Sequence, residues 1–208
     1  MKLLDLIEKF SDHSPVLGGQ EIRLGGNPRA RSSSLDQYEV VSVLRKHGWD
    51  YLSSGNHALV FARDDQPQWV LKINTVRDRG FTRFYSMAKR SDNEHFPEVS
   101  RMGLLDILGV PVYAVQVERL TDADTTSRRH LRRCLQNSSG DFFAGADKNK
   151  KLAQRYPEWY PALAMIRPLF GLTTRDGQQH YQNDVGGSNI MFRGNIPVLI
   201  DPLFPGID

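Results

Sequence analysis

The 208-residue sequence predicts an α+β fold of two lobes, and three observations lead to it. Strand-like apolar alternation runs from Trp49 to Leu120, broken by turn signals at "RDDQPQ" and near Gly109, which is the pattern of a mostly antiparallel sheet. From Thr121 onward the apolar spacing becomes helical. A short strand pair, "IMF" and "VLI" around the turn "RGN", then closes the tail. Strands followed by helices, rather than alternating with them, are the α+β order, and they place a lobe boundary near 118 to 121. The expected organisation is therefore N-terminal helices and a flexible arm over 1–48, a sheet lobe over 49–119, and a minimal helical lobe over 120–208.

Each element has its own local reason. Leu3, Leu4, Ile7 and Phe10 fall on one face at helical spacing and predict a short amphipathic helix. The segment "SPVLGGQEIRLGGNPRARSSS" has no period and reads as a loop or arm. "SLDQYEVVSVLRKHG" reads as a helix capped by Ser34, with Tyr38, Val41 and Leu44 inward and Gly48 as its stop. Two or three strands follow in "WDYLSSGNHALVFARDDQPQWVLKIN", a helix in "FTRFYSMAKR", and two more strands in "VSRMGLLDILGVPVYAVQVERL". "TDADTTSRRHLRRCLQNS" opens with capping residues and acids and ends with bases, as the helix dipole favours. "SSGDFFAGADK" is expected as a loop, and "YPEWYPALAMIRPLFGL" as a buried helix starting near Pro161.

Bulk properties exclude several function classes. Twenty-seven basic against 24 acidic residues leave only +3, so a nucleic-acid partner is not indicated. The lone Cys134 rules out an internal disulfide and suits a reducing cytoplasm. The start "MKLLDLIEKF" is interrupted by Asp5, Glu8 and Lys9, and no longer apolar run occurs, so no membrane partner is expected.

Chemistry concentrates in two blocks. "NDVGGSNIMF" holds Asp184 and Asn189 five residues apart, and "IDP" brings Asp201 after the strand pair. Phosphoryl transfer from a nucleotide needs hard oxygen donors for Mg²⁺ and a carboxylate to orient the attacking hydroxyl, and these three residues offer both. In "SSGNHALVFARDDQPQWVLKIN", Gly55 precedes Val60 by five residues, and Lys72 stands in an otherwise apolar strand. A lysine in such a strand is costly to bury unless an anion meets it.

Together the blocks resemble the protein-kinase superfamily. Ser53, Gly55, Ala58 and Val60 stand in the glycine-loop places, Lys72 in the strand-three lysine place, Asp184 and Asn189 in the catalytic loop, and Asp201 in the metal-binding place. Within the superfamily the phrases "GNHALVFA", "VLKI", "GSNIMF" and "GNIPVLIDP" most resemble the early serine/threonine protein kinases of short-tailed lytic bacteriophages, over roughly residues 50 to 204.

The resemblance implies a protein-kinase-like two-lobe fold with a truncated helical lobe. It implies ATP and Mg²⁺ as cofactors and transfer of the γ-phosphate to hydroxyls of host proteins, with autophosphorylation at Ser32 to Ser34 or Ser53 and Ser54 as an option. Residue by residue, it implies that Gly55 and its neighbours close over the phosphates and that Lys72 holds them. Glu118 and Leu120 would offer backbone groups to adenine, Asp184 would take or orient the hydroxyl proton, and Asn189 and Asp201 would ligate Mg²⁺.

Several positions depart from the pattern. "FTRFYSMAKR" has no glutamate to pair with Lys72, and Asp78 and Glu94 flank it as substitutes. Gln182 and Asn183 stand where kinases often have His and Arg, so no switching by a phosphorylated activation loop is expected. Seven residues follow Asp201 in this sequence, which leads one to expect no activation segment. Substrate recognition is then expected from the arm at 14–34 or the basic cluster Arg128, Arg129, Arg132 and Arg133. Two other readings share these residues: a small-molecule phosphotransferase of the aminoglycoside type, and a kinase-like binding protein that inhibits a host factor without chemistry.

Overall fold

The computed structural model describes residues 22–23, 36–55, 58–75, 78–144, 154–171, 181–186 and 189–205. The expected helix at 3–10, most of the arm, Ser34 and the serines at 32–34 lie outside the described residues. The chain divides into two units, one of residues 1–77 and 98–119, the other of 78–97 and 120–208.

In the first unit, helix α1 (Gln37–Lys46) packs on a six-stranded sheet. Its strands are β1 (Ile22–Arg23), β2 (Asp50–Ser54), β3 (Ala58–Ala62), β4 (Trp69–Asn74), β5 (Val99–Ile107) and β6 (Val110–Glu118), in the order β1-β5-β6-β4-β3-β2. The pairs from β2 through β5 are antiparallel, and only β1 joins in parallel, Ile22 opposite Leu105 and Arg23 opposite Asp106. The arm read as having no strand period thus contributes two residues to the sheet edge, where backbone pairing alone suffices.

Alternation in the strands sorts the sheet into two faces. Leu59, Phe61, Leu71, Ile73, Leu105, Ile107, Val112 and Ala114 form one core with Val40 and Leu44 of α1 and with Trp49. Tyr38, expected inward, is 84% exposed, and the helix cap is Asp36, whose side chain accepts from the Tyr38 N–H. The buried stripe is Val40 and Leu44, four residues apart, and Tyr38 lies about 160° around the helix from Val40, at 100° per residue. The β5–β6 turn places Leu108 and Gly109 at φ 55° and 85°, the left-handed pair of a tight hairpin, with the Gly109 N–H donating to Asp106 Oδ1 at 2.7 Å.

The second unit holds helices α2 (Arg79–Ala88), α3 (Thr126–Ala144) and α4 (Trp159–Ile166), with a 3₁₀ turn at Arg167–Gly171. Two antiparallel strand pairs complete it: β7 (Tyr181–Asn183) with β10 (Leu203–Pro205), and β8 (Ile190–Arg193) with β9 (Ile196–Leu199). Phe81, Phe84, Tyr85, Phe96, Trp159, Leu163, Ile190 and Phe192 are buried here. Helix α3 runs through Ala144, where the serine- and glycine-rich "SSGDFFAGADK" was expected to form a loop. Burial overrides the weak propensity: Leu135, Ser139 and Phe142 sit at helical spacing inside the unit. The Ser139 hydroxyl donates to the Leu135 carbonyl at 2.7 Å and accepts from Trp159 Nε1 at 3.2 Å.

Among the described residues no helix is long and apolar enough to cross a membrane.

Candidate functional site

In the first unit the register aligns the sequence-selected residues. Ser53 pairs with Val60, Val60 with Lys72, and Lys72 with Val115, so the four form one row across β2, β3, β4 and β6. Residues directly opposite in an antiparallel ladder share a face, and this face is the one turned away from the α1 core. Ala58 belongs to the same face two residues along, opposite Asn74. Lys72 is 7% exposed, so its ammonium stands in low-dielectric surroundings that strengthen any interaction with an anion.

Gly55 follows β2, and its N–H donates to the Ala58 carbonyl at 2.8 Å, closing the β2–β3 connection. A side chain at Gly55 would meet nothing within 4 Å, so no protein neighbour demands a glycine there. At the far end of β6, Glu118 donates its N–H to the Glu98 carbonyl at 3.0 Å, and its carboxylate accepts from the Glu98 N–H at 2.9 Å. The backbone N–H of Glu118 is therefore not the group it can offer a base. Leu120, half-buried, opens the second unit's run of 120–208.

In the second unit the oxygen-rich side chains gather through strand pairing. Asn183 at the end of β7 lies opposite Leu203 at the start of β10, and the pairing carries one step further as the Asp184 N–H donates to the Pro202 carbonyl at 2.9 Å. The β8–β9 hairpin supplies the second constraint, with the Ile200 N–H donating to the Asn189 carbonyl at 3.1 Å. Asp184 and Asp201, seventeen positions apart, are thereby brought together, and the Asp201 charge reaches both Asp184 and Asp78.

Asn189 is tied to Asp184 through its side-chain amide. Its Nδ2 donates to the Asp184 carbonyl at 3.0 Å and to Asp184 Oδ2 at 2.7 Å. The Gly186 N–H donates to the Asp184 carbonyl, and the Asn189 N–H to the Gly186 carbonyl, each at 2.9 Å. With Nδ2 committed to Asp184, the planar amide turns Oδ1 the other way, as a hard oxygen donor. Burial pushes the Asp184 carboxyl above the ordinary aspartate range, and the Asp201 charge adds to the rise, while the Asn189 hydrogen bond opposes it.

The sequence alone offers Asp78 only as a stand-in partner for Lys72. In the structure it caps α2: Oδ1 accepts from the Gly80 N–H at 2.7 Å and from the Tyr181 hydroxyl at 2.5 Å. Burial raises its carboxyl as well, with the Asp201 charge a further contribution. An aspartate directly before a helical pattern is a readable cap, but its link to Tyr181 joins residues 103 apart. Tyr85 is a second such link, its hydroxyl donating to the Ile200 carbonyl at 2.5 Å, directly before Asp201.

The basic cluster on α3 divides into two kinds of residue. Arg128 donates to Asp124 Oδ1 at 2.7 Å, Arg132 donates to Asp122, and both guanidinium groups lie over the Phe192 ring, 5.6 and 6.0 Å from its centre. Arg132 holds the Asp122 carboxyl below the ordinary aspartate range, chiefly through this hydrogen bond. Arg129 and Arg133 are exposed.

No protein-family model matches the chain, and no curated protein does. Among solved structures the chain is similar to APH(2")-IIa, an aminoglycoside phosphotransferase, in its ternary complex with streptomycin and ATP. The identity is 13%, the TM-score 0.35, and the match covers 81% of this chain and 72% of that one.

Proposed function

We propose that the chain is an ATP- and Mg²⁺-dependent phosphotransferase whose acceptors are serine and threonine hydroxyls of proteins. The observation that supports this most is the Asp184, Asn189 and Asp201 set: one carboxylate oriented by an amide, with a second carboxylate close enough for its charge to be felt.

The donors suit magnesium. Asn189 Oδ1 and the Asp201 carboxylate are the hard oxygen ligands that a Mg²⁺ ion takes alongside phosphate oxygens. When bound, Mg²⁺ neutralises phosphate charge and strengthens the leaving group. Within the chain, Asp184 is the group to accept the hydroxyl proton as the acceptor oxygen attacks the γ-phosphorus and the bond to ADP breaks. Its raised pKa makes it a stronger base, and Asn189 holds the carboxylate in one orientation. The Lys72 ammonium offers charge to the phosphates, on a sheet face whose small and apolar neighbours, Ala58, Val60 and Val115, suit a flat base. The protein acceptor follows from the resemblance carried by "GNHALVFA" and "GNIPVLIDP".

Labelled ATP supplied to the full chain with a bacterial lysate, and separately with aminoglycosides and amino alcohols, tests the proposal. Label is expected in protein phosphoserine and phosphothreonine, and Asp184→Ala is expected to abolish it. Transfer to small molecules alone would move the acceptor to the other class. No transfer by the wild type, or equal transfer by Asp184→Ala, would leave a binding protein without chemistry.

A further inference from the structure

A second cluster of ligating side chains lies in the same unit, built from different residues. Glu94, His95 and Glu158 each bring one ligand atom, an imidazole nitrogen and two carboxylate oxygens, within 4.8 Å of one another. His95 is 4% exposed, while both glutamates are exposed.

The histidine is the informative member. Its Nδ1 lies 2.8 Å from the Pro197 carbonyl, which can only accept, so Nδ1 carries the proton and Nε2 presents a lone pair. That Nε2 is buried and has no hydrogen-bond partner. A buried acceptor left unmet is costly, and a ring nitrogen held by a backbone carbonyl on its far side is how metal-binding imidazoles are oriented. The surroundings fix the ring further. The His95 N–H donates to Asn93 Oδ1 at 2.9 Å, and its carbonyl accepts from the Leu199 N–H at 2.8 Å. Arg193 donates to the carbonyls of Glu94 and Phe96, each at 3.1 Å, and the Trp159 ring meets the imidazole edge to face at 5.1 Å.

The carboxylates are available. Glu158 sits at the N-terminus of α4 and makes no side-chain capping bond. Zinc takes nitrogen and carboxylate oxygen at about 2.0 to 2.2 Å, so tetrahedral ligand atoms stand about 3.3 to 3.6 Å apart. The 4.8 Å spread closes by rotation of two exposed glutamate side chains, with His95 as the fixed point.

We propose that Glu94, His95 and Glu158 form a binding site for a divalent transition ion of the zinc class, with a fourth position open to solvent. One imidazole with two carboxylates favours zinc over magnesium, which prefers oxygen alone. An ion there ties the 93–96 turn to the start of α4. Through the Leu199 bond it also braces the end of β9, two residues before Asp201.

The test uses the full untagged chain, stripped with chelator and dialysed against Zn²⁺ in excess Mg²⁺. One Zn²⁺ per chain and a raised Tm are expected, as is a shift of the imidazole nitrogen signals of one of the six histidines in nitrogen-15 spectra. Glu94→Gln and Glu158→Gln are exposed changes that keep the metal-free Tm close to wild type, and each is expected to weaken Zn²⁺ binding by at least about 10-fold. Asp201→Asn is expected to leave it unchanged, which separates this site from the phosphotransfer residues. No retained Zn²⁺ in the wild type, unchanged affinity in either glutamate variant, or loss in Asp201→Asn overturns the proposal.

Discussion

Asp78 and Asp184 are both held above the ordinary aspartate range, first by burial and then by the Asp201 charge. A raised carboxylate binds its proton more tightly in the folded chain than in the unfolded one. Its contribution to stability is therefore largest below the unfolded value and is lost as pH rises through the folded value. Asp78→Asn removes the charge but keeps an oxygen for Gly80 and Tyr181 to donate to. In metal-free protein the Tm of this variant should gain on the wild type as pH rises from about 4 to about 7. A gap that stays constant over that range would show that Asp78 does not titrate as its surroundings dictate. For Asn189, the two bonds to Asp184 predict that Asn189→Ala frees the carboxylate and cuts phosphate transfer, read as kcat, while leaving the fold intact. The Asp184, Asn189 and Asp201 set was legible in the sequence because its members lie close along the chain. The Tyr181 bond to Asp78 was not, because it depends on how β7 and α2 come together.

At the scale of elements, α2 poses a question of sign. Gly80 lies in its first turn, and helix propensity alone would favour alanine there by about 1 kcal/mol. A Cβ at Gly80, however, would stand 2.5 Å from the Tyr181 ring, whose hydroxyl is held by Asp78. Gly80→Ala should therefore destabilise the chain, by about 1 to 3 kcal/mol as overpacking does, and a denaturant titration showing a more stable variant would reverse this reading of the contact. The α3 arginines are a milder case. Arg128 and Arg132 are committed to Asp124 and Asp122 and to the Phe192 ring, so Arg132→Ala should lower stability modestly, by up to about 1 kcal/mol. Docking of an acidic partner on this helix would fall to Arg129 and Arg133, and Arg129→Ala with Arg133→Ala should leave thermal stability near wild type. Element identity was readable wherever periodicity was strong, as in β3, β4 and β6. It failed at Tyr38 and over 138–144, where the choice of buried face and the packing of Ser139 and Phe142 outweigh local propensity.

For the molecule as a whole, each unit has its own apolar core, one under α1 and one around Trp159 and the β8–β9 hairpin. On the proposed function, Mg²⁺ and ATP bind the native state and stabilise it, by about 2.7 kcal/mol at a ligand concentration 100 times Kd. That increment should appear in the wild type and be lost in Lys72→Met, which keeps the buried stem and removes the charge; an equal thermal shift in both proteins would exclude Lys72 from the phosphate site. The sequence by itself determined the α+β order, the antiparallel strands and the oxygen-rich tail, since period, turn residues and short-range spacing are properties of the chain alone. Only the tertiary structure decided that Ser53, Val60 and Lys72 share one row, and that Asp78 joins Asp184 and Asp201. It alone left the His95 Nε2 buried without a hydrogen-bond partner and brought the residue together with Glu94 and Glu158. Register and burial arise from contacts between distant residues, and no local pattern records them.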